Sequence, residues 1–440
     1  MTTYRDILKL SIPIMIGSAV QNLITLTDTI FLGRVGEVEL GAIGLVGVFY
    51  LMIASIGYSF SKAGQIMIAR RVGEGDLEKI GVITYSMGAF ALFLATILFF
   101  FMQFGSRWFF GLFVDSQEIY EACIAYLDYR SIGVFFSYIG VVAIALYTGV
   151  ARTTVIIYNA LMMGVSNMVL NYGLIFGEWG FPEMGIAGAG LASTIAEILA
   201  TTIFIGYIIL DKHSKSYKLL QLPKIDVGII KAQLKLSTPI VLQSVVGMGS
   251  WFIFFILIED MGKTELAISN LMRAVYLLLM IPCWGFASGT NTIVSNLIGK
   301  NKLDLVFPAV SKVALLCFVV TMICGSSLLI APNTMLKIGT DNLFLIEESK
   351  RLIWVLLLTL ALFSVGAIYF NGLVGTGATN QALVMQVISV CIYLGYLYWA
   401  VEIIHCSLEM AWMGEIYYWI ATLAMAIWYL RSTRWYNIKV

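Results

Sequence analysis

Charged residues are scarce in this chain, and so are histidines and paired cysteines. Only 12% of the 440 residues are charged, whereas about 25% is usual for a soluble domain. The two histidines, His213 and His405, are too few to build a histidine-based metal or acid–base centre. The six cysteines have no paired spacing, so we interpret them as small core residues. These shortages exclude several common kinds of site.

Several signature motifs are missing as well. The chain has no G-x-x-x-x-G-K-[S/T] phosphate-binding loop, so it encodes no ATP-driven engine of that kind. It has neither the arginine-rich helix of a voltage sensor nor the TVGYG sequence of a potassium filter. No nucleophile–base arrangement stands out, so an enzyme and a channel remain alternatives without a supporting motif. We expect no enzyme, no cofactor and, at a net charge of +1, no nucleic-acid partner.

Long apolar stretches dominate what is present. Hydrophobic residues make up 60% of the chain and the mean hydropathy is +0.90, which is typical of a protein that crosses a membrane many times. A spanning helix needs about 20 apolar residues. Such stretches lie near residues 10–33, 43–67, 80–104, 122–148, 154–177, 187–210, 236–258, 268–295, 307–331, 351–375, 381–404 and 414–431. The sequence therefore predicts an all-α membrane protein with twelve spans and no evident cleavable signal.

The longest hydrophilic connection divides the predicted spans six and six. We expect a first lobe over residues 1–210, a cytoplasmic connection over 211–235 and a second lobe over 236–440. Most of the 27 lysines and arginines fall in segments on the side of the N-terminus, so the positive-inside rule places both termini in the cytoplasm. The short loops favour the inner membrane of a bacterium. The absence of a separate soluble domain favours a self-contained monomer embedded in the lipid bilayer.

The two halves of the chain repeat. Residues 8–77 align without gaps on residues 234–303, at a shift of 226 positions, with 18 identities. The identical pairs include Pro13 with Pro239. Because each repeat holds an even number of spans, the two lobes should be related by an axis along the membrane normal. Two six-helix lobes related by a parallel repeat are typical of several secondary transporters.

Asp28 is the most informative single residue, because it lies inside the first predicted span. An ionised carboxylate at membrane depth is costly unless it is paired, hydrated or protonated, and such acids usually belong to ion or proton pathways. The repeat pairs Asp28 with Phe254, so the second half has an aromatic ring where the first has an acid. We therefore expect ion coupling through this position to belong to the first half.

Two asparagines of the fifth span, Asn167 and Asn171, stand four residues apart and share one helical face. Their amide oxygens are hard ligands, and together with Asp28 they form a candidate Na⁺ site. Hydrogen bonding between helices is the alternative use of asparagines in membranes. A single carboxyl group also suits H⁺. The neutral oxygens favour Na⁺ slightly, with H⁺ competing for Asp28, and the residues do not decide between the two ions.

The sixth span and two in-span bases add further candidates. Ser193 and Thr194 offer hydroxyl oxygens as ligands, and Glu197 is a second acid within the membrane. Glu197 suits a proton site and the partner of a nearby base equally well. Lys62 and Arg273 are weak candidates for lining a substrate cavity, and snorkelling to the surface or neutralising an acid are their alternatives.

The remaining charged residues near spans have simpler interpretations. Asp128 and Arg130 stand near the start of the fourth span and are predicted to form an interfacial pair. Glu402, Glu409 and Glu415 surround the last outer loop and are predicted to form a solvated face. The many aromatic residues and the 20 methionines would suit bulky organic cations if they lined a cavity.

A series of short motifs runs along both halves in a fixed order. They are Leu-Ser-Ile-Pro-Ile at 10–14, Thr-Asp-Thr-Ile-Phe-Leu-Gly at 27–33, Ala-Arg-Arg-Val-Gly-Glu-Gly-Asp at 69–76, Gly-Val-Ala-Arg-Thr at 149–153, the segment 167–177, Gly-Ala-Gly-Leu-Ala-Ser at 188–193, Leu-Ser-Thr-Pro-Ile at 236–240, Asn-Leu-Ile-Gly-Lys at 296–300 and Gly-Leu-Val-Gly-Thr-Gly at 372–377. Their order and spacing resemble those of the multidrug and toxic compound extrusion (MATE) transporters over essentially the whole chain.

The resemblance implies a V-shaped fold of twelve spans in two lobes. It also implies export of cationic, amphipathic compounds in exchange for Na⁺ or H⁺, with Asp28 as the acid central to coupling. Asn167 and Asn171 fall on the polar pair of the family's fifth span, and Ser193 falls on its sixth-span threonine. Some members have Asp at the position of Asn171, so the charge of the site is lower by one here.

The chain also departs from one branch of the family. That branch carries an acid in the seventh span, where this chain has Gly247, and another in the tenth span, where residues 359–377 contain no Asp or Glu. We therefore expect coupling through the first half rather than a second-half cation site of that type. A flippase for lipids or lipid-linked saccharides is the alternative function. It usually needs a strongly cationic cavity, and we assign only Lys62 and Arg273 to span interiors.

Overall fold

The computed structural model describes residues 3–221 and 224–438, and it consists almost entirely of α-helices. Leu222 and Pro223 of the predicted connection lie outside the described residues, as do the first two and the last two residues of the predicted lobes. Within the described part, ten helices are long and apolar enough to cross a membrane, and a bent pair of helices makes an eleventh candidate span.

The first half contributes six long helices. They are α1 (Tyr4–Val35), α2 (Glu37–Glu74), α3 (Lys79–Gly111), α4 (Gln117–Gly149), α5 (Thr154–Phe176) and α6 (Gly185–Leu210). Left-handed glycines end two of them, because Gly75 and Gly177 adopt φ of 80° and 72° just after α2 and α5. Glycine reaches these angles without the penalty that a side chain would bring.

The second half contributes six further helices, one of which is the bent pair. They are α7 (Val227–Met261), α8 (Lys263–Leu279 with Ile281–Gly299), α9 (Leu303–Ile330), α10 (Leu343–Gly375), α11 (Thr379–Ile403) and α12 (Gly414–Arg431). The two segments of α8 are bent by 47°, and a proline near the start of the second segment is tolerated there because the first turn needs no amide donor. Helix α12 is not among the eleven candidate spans, but it completes the set of twelve helices that the sequence predicts.

The chain divides into two compact units. Ile16–Ser237 form the first unit, and the residues up to Met15 together with those from Thr238 onward form the second. These limits differ from the predicted lobes, since the start of α1 belongs to the second unit and the start of α7 belongs to the first. Both limits lie within two residues of the repeat prolines, Pro13 and Pro239, each of which removes an intrahelical hydrogen bond and gives its helix a place to bend.

The packing inside the units follows the repeat. In the first unit α4 packs against α2, α3 and α6, and α5 packs along α6. In the second unit α10 packs against α8, α9 and α12, and α11 packs along α12. A shift of six helices relates the two sets of contacts. The predicted all-α membrane fold with twelve helices and an internal repeat is therefore confirmed.

Candidate functional site

Asp28 lies at the end of a chain of buried hydrogen bonds. The Asn171 side-chain amide donates to Oδ1 of Asp28 at 2.5 Å and to Oδ1 of Asn167 at 3.0 Å. The Asn167 amide in turn donates to Oγ of Ser193 at 3.1 Å. Asp28 is only 7% exposed, and the other three side chains are buried with it. Helices α1, α5 and α6 thus bring four of the predicted ion-coupling residues into one cluster, the Asp28 cluster.

Small residues allow these helices to approach one another. A Cβ on Gly188 of α6 would lie 2.5 Å from the backbone oxygen of Leu174 in α5. A Cβ on Gly190 would lie 2.5 Å from the backbone oxygen of Tyr126 in α4. Both distances are well inside van der Waals contact, so only glycine fits. The glycine-rich start of α6 therefore positions Ser193 close to Asn167.

One buried oxygen of the Asp28 cluster lacks a hydrogen-bond donor among the described residues. The Asn171 side-chain oxygen is buried and accepts no hydrogen bond from the described residues. Buried acceptors are normally satisfied, and a bound cation or water beside Asp28 would satisfy this one. Carboxylate, amide and hydroxyl oxygens are also the ligand types that hard cations prefer. Among the described residues no group of three or more His, Cys, Asp or Glu could hold a metal ion, so neutral oxygens would have to supply the remaining ligands.

A buried ion pair lies next to this cluster. The two terminal nitrogens of the Arg130 guanidinium, Nη1 and Nη2, donate to Oε2 and Oε1 of Glu197 at 2.7 and 2.5 Å. Arg130 and Glu197 are each 5% exposed, and the guanidinium lies 3.8 Å above the centre of the Tyr50 ring. Arg130 also interacts electrostatically with Asp28. Of the two roles open to Glu197, the structure places it as the partner of a base.

Neighbouring residues leave room for that pair. A Cβ on Gly133 would overlap both the guanidinium of Arg130 and the carboxylate of Glu197. Thr194 does not face the Asp28 cluster through its hydroxyl, which donates instead to the backbone oxygen of Tyr129 at 2.9 Å. The Arg130–Glu197 pair thus fills the space between α4 and α6.

The predicted interfacial pair of Asp128 and Arg130 is wrong. Asp128 is exposed, whereas Arg130 points into the unit and pairs with α6. Sequence reasoning missed this role because Arg130 was placed at the edge of its span. The available signal was the spacing along α4, because Arg130 lies four residues after the buried Tyr126 and three before Gly133. These three positions share one helical face.

The two weak cavity candidates lie apart from this cluster. Lys62 is half-buried on α2 and is not among the groups that interact with Asp28. Arg273 belongs to the second unit, where its guanidinium lies 4.7 Å above the Phe255 ring. Their predicted role in a substrate cavity stays a prediction.

The predicted solvated face near the last outer loop is wrong for Glu415. Glu402 is exposed, and Glu409 pairs with Arg351 at 3.2 Å, as acids at a wet edge are expected to do. Glu415, in contrast, lies at the start of α12 and is only 5% exposed. The second unit therefore contains a buried acid that sequence reasoning placed in water.

Twelve helices in two repeated sets, most of them apolar enough to span a membrane, with a buried carboxylate that accepts a hydrogen bond from an asparagine, define a polytopic membrane protein of the secondary-transporter class. The family model MatE matches residues 13–173 and 239–399, and its two matches are separated by the same 226 residues as the repeat. The chain belongs to the MATE family of transporters.

Named relatives agree with this assignment. The chain is 23% identical over 435 residues to a probable multidrug resistance protein NorM of Thermotoga maritima, covering 98% of this chain and 93% of the relative. It is 27% identical over 291 residues to the probable NorM of Rhizobium meliloti, a match that spans 66% of this chain and 62% of that relative.

Solved structures show the same fold. An outward-facing MATE family transporter of the MOP superfamily superposes with a TM-score of 0.89 at 20% identity, covering 97% of this chain and 96% of the other. A MOP superfamily transporter from Pyrococcus furiosus gives a TM-score of 0.85 at 20% identity, covering 96% and 94%. At this level of identity the likeness supports the fold alone.

Proposed function

We propose that the protein is a secondary antiporter that exports cationic, amphipathic organic compounds in exchange for Na⁺ or H⁺, coupled through Asp28. The observation that carries this proposal is the buried Asp28 cluster within a MATE fold. An ionised carboxyl group at this depth is costly, so binding a cation or a proton stabilises it when it is exposed alternately to the two sides of the membrane.

The substrate class rests on relatives and on composition. The relatives named above are described as probable multidrug resistance proteins. The chain is also rich in aromatic residues and methionine, whose side chains bind bulky organic cations through cation–π contacts and adaptable apolar packing. A lipid or lipid-linked saccharide flippase remains the competing outcome of the experiment below.

The ion-binding role rests on the atoms around Asp28. The orphaned oxygen of Asn171 and the hydroxyl of Ser193 provide neutral ligands next to the carboxylate, which favours Na⁺. A proton would compete for the same carboxylate. Because Glu197 already neutralises Arg130, the neighbouring base is occupied and Asp28 stays free to bind the coupling ion.

Ion uptake would change the packing of the first unit. When Asp28 loses its negative charge, its short hydrogen bond from the Asn171 amide weakens, because charge-assisted bonds are about twice as strong as neutral ones. Helix α1 carries Asp28 and passes from one unit to the other two residues after Pro13. A change in its packing therefore reaches the place where α1 can bend. Inward ion movement gains about 2.3 kcal/mol per charge for each 100 mV of membrane potential.

Efflux from proteoliposomes tests the proposal. Wild type, Asp28→Asn and the matched control Asp128→Asn are reconstituted, and a fluorescent cationic dye is followed under a Na⁺ gradient and a pH gradient imposed separately. Asp128 is an exposed acid of the same unit, so its amide variant should transport normally. We expect Asp28→Asn to reduce gradient-driven transport to the level of empty vesicles, while its elution and thermal unfolding stay close to wild type.

The outcomes separate the alternatives. Transport by wild type under one gradient alone identifies the coupling ion. Normal transport by Asp28→Asn contradicts the coupling role of this residue. Wild type that moves no cationic dye under either gradient contradicts drug antiport and favours the flippase. We further propose that the protein works as a monomer in the bacterial inner membrane with both termini in the cytoplasm, which protease accessibility of terminal tags would test.

A further inference from the structure

Glu415 is a buried acid that the proposed function does not use. It is the second residue of α12, and its carboxyl group faces polar atoms of Trp251 on α7, Tyr393 on α11 and Trp419 on α12. The phenol of Tyr276 on α8 lies close enough to interact electrostatically. Every group named here belongs to the second unit. Glu415 therefore lies in an enclosed aromatic site, which we call the Glu415 cage.

No cation balances the charge of this acid. The groups that act on Glu415 are the three aromatic side chains facing it, and no lysine, arginine or histidine of the described residues is among them. Tyr276, Tyr393 and Tyr418 each interact with Glu415 and are neutral phenols. A buried carboxylate without a partner charge is strongly disfavoured in such surroundings. The carboxyl group is therefore expected to take up a proton in these surroundings.

The cage also contains donors that suit the ionised form. The hydroxyls of Tyr276 and Tyr393 and the indole N–H of Trp419 are buried and make no hydrogen bond of good geometry to the described residues. Unsatisfied buried donors are rare, and a carboxylate is the strongest acceptor they can find. Small rotations that direct these donors at Glu415 would stabilise its negative charge. The site thus favours the protonated acid by burial and retains donors for the ionised one.

The internal repeat places the cage where the first half has its ion cluster. A shift of 226 residues puts Asn167 on Tyr393, Ser193 on Trp419 and Asp28 on Phe254. The rings of Phe254 and Tyr393 are neighbours, with centroids 6.4 Å apart. The shift also puts Asn171 on Leu397, so the second half has aromatic and aliphatic side chains where the Asp28 cluster has its amide and hydroxyl groups.

The acid of the cage comes from a different position. The same shift puts Ala189 on Glu415, so the carboxyl group reaches the cage from one turn earlier along the sixth span than Ser193 does in the first half. For this reason the acid of the second half is not found by comparing Asp28 with its repeat partner Phe254. The region of the second half that corresponds to the Asp28 cluster nevertheless contains an acid, Glu415.

We propose that Glu415 is a proton-binding group of the second half, which binds and releases H⁺ independently of the Asp28 cluster. The ligand is a proton rather than Na⁺, because the side chains that face the carboxyl group, Trp251, Tyr393 and Trp419, offer N–H and O–H donors, whereas a hard cation prefers carboxylate and carbonyl oxygens. The step is the addition of one proton to a carboxylate oxygen and its later loss to water. It does not depend on the coupling role proposed for Asp28.

Infrared difference spectroscopy tests this directly. Proteoliposomes containing wild type, Glu415→Gln, Asp28→Asn or Glu402→Gln are taken from acidic to alkaline pH, in H₂O and in D₂O. A protonated buried carboxyl group gives a C=O stretch that shifts in D₂O and disappears on ionisation. We expect Glu415→Gln to lose part of the wild-type band. Asp28→Asn and the exposed-acid control Glu402→Gln should keep the part that belongs to Glu415.

A second variant guards against misfolding of the first. Tyr393→Phe keeps the ring and removes one donor facing the carboxyl group, so the Glu415 band should change in frequency and persist to higher pH than in wild type. A wild-type band that is unchanged in both folded Glu415→Gln and Tyr393→Phe overturns the proposal. Because the readout is proton binding, this result is independent of whether Asp28→Asn transports.

Discussion

The two halves of the molecule treat a buried acid of the sixth span in opposite ways. In the first half Glu197 accepts hydrogen bonds from the two terminal nitrogens of Arg130, whose guanidinium lies above the ring of Tyr50. In the second half Glu415 interacts with Tyr276, which stands at the repeat position of Tyr50, and meets no base among the described residues. One acid forms a buried ion pair, whereas the other does not.

The reason for the difference is visible in the fourth span of each repeat. A shift of 226 residues puts Leu356 of α10 on Arg130 of α4, and Leu356 is completely buried. The common scaffold therefore does not determine charge. The acid has a different position too, because the shift pairs Glu197 with Leu423 and Ala189 with Glu415. Since the fourth span of the second half supplies no base at the position of Arg130, the carboxyl group of Glu415 has to find another partner.

The first span shows the converse difference. Asp28 is buried among amides and a hydroxyl, whereas its repeat partner Phe254 is buried among the rings of Phe255, Tyr393 and Trp412. Among the described residues, each half thus contains one buried acid that forms no salt bridge, Asp28 or Glu415, and the two lie at different repeat positions. The comparison indicates that the two halves share their helix packing but differ in where an unpaired buried acid lies.

The largest effect is expected from placing the first-half acid in the second half. Phe254→Asp removes a ring that is 2% exposed and leaves a carboxyl group facing aromatic rings. Loss of the aromatic packing alone costs about 3–5 kcal/mol, and an unpaired polar group in an apolar site adds to it. We expect little folded protein in detergent, measured by size-exclusion chromatography and thermal unfolding.

A matched control separates packing from charge. Phe254→Leu keeps an apolar side chain and should cost about 1–2 kcal/mol, because it loses only part of the buried area. Equal stability of the Leu and Asp variants would mean that the second half accommodates an acid at this position. Packing would then not explain why the first half has an acid at this repeat position and the second half has a phenylalanine.

An intermediate effect is expected from removing the base of the Arg130–Glu197 pair, so that the buried acid of the first half also lacks a base. Arg130→Met leaves Glu197 buried without its base, which costs about 3–5 kcal/mol in comparable pairs. Arg130→Met combined with Glu197→Gln removes both charges and should recover much of that loss. The measurement is the thermal unfolding of both variants, followed by intrinsic tryptophan fluorescence.

The double variant decides how the pair acts. If it is no more stable than Arg130→Met alone, the loss arises from missing contacts of the guanidinium, including its stacking on Tyr50, and not from an unpaired carboxylate. If the double variant recovers and also transports normally, the pair supports the structure of α4 and α6 without taking part in coupling.

Local patterns in the sequence were sufficient to predict the fold. Span length and the repeat predict twelve helices in two sets, and the four-residue spacing of Asn167 and Asn171 correctly puts them on one face, where both meet within reach of Asp28. These features depend on neighbours along the chain or on a periodic helix, which a sequence displays directly.

Contacts between distant helices were harder to predict. The partner of Arg130 lies 67 residues away on another helix, and only packing around Gly133 brings the two together. Glu415 was assigned to water because it follows an outer loop, yet the aromatic residues of α7, α8 and α11 enclose it. Depth within a helix bundle depends on which helices surround a residue, and that information is spread over the whole second half.

The smallest effect is expected from a pair at the edge of the first unit, where the comparison between buried and exposed charges can be refined. Burial would raise the pKa of Asp211, but hydrogen bonds from His213 and Arg152 hold that pKa below its usual range. A lowered carboxyl pKa contributes stability that is present above the unfolded value of about 3.9 and is lost as the pH falls through the folded value. Asp211→Asn should therefore destabilise the protein at neutral pH by about 1 kcal/mol.

The difference from wild type should shrink as the pH falls below about 4, where Asp211 itself becomes protonated. Thermal unfolding of both proteins at neutral and acidic pH measures it. Glu78→Gln is the matched control, because Glu78 pairs with Lys218 but is 71% exposed and should contribute almost nothing. A difference that is constant with pH would assign the effect to the shape of the side chain rather than to its charge. If desolvation determines the strength of each pair, the loss of stability should decrease with burial from the Arg130 pair through the Asp211 pair to the Glu78 pair. A pH-independent difference would contradict that order.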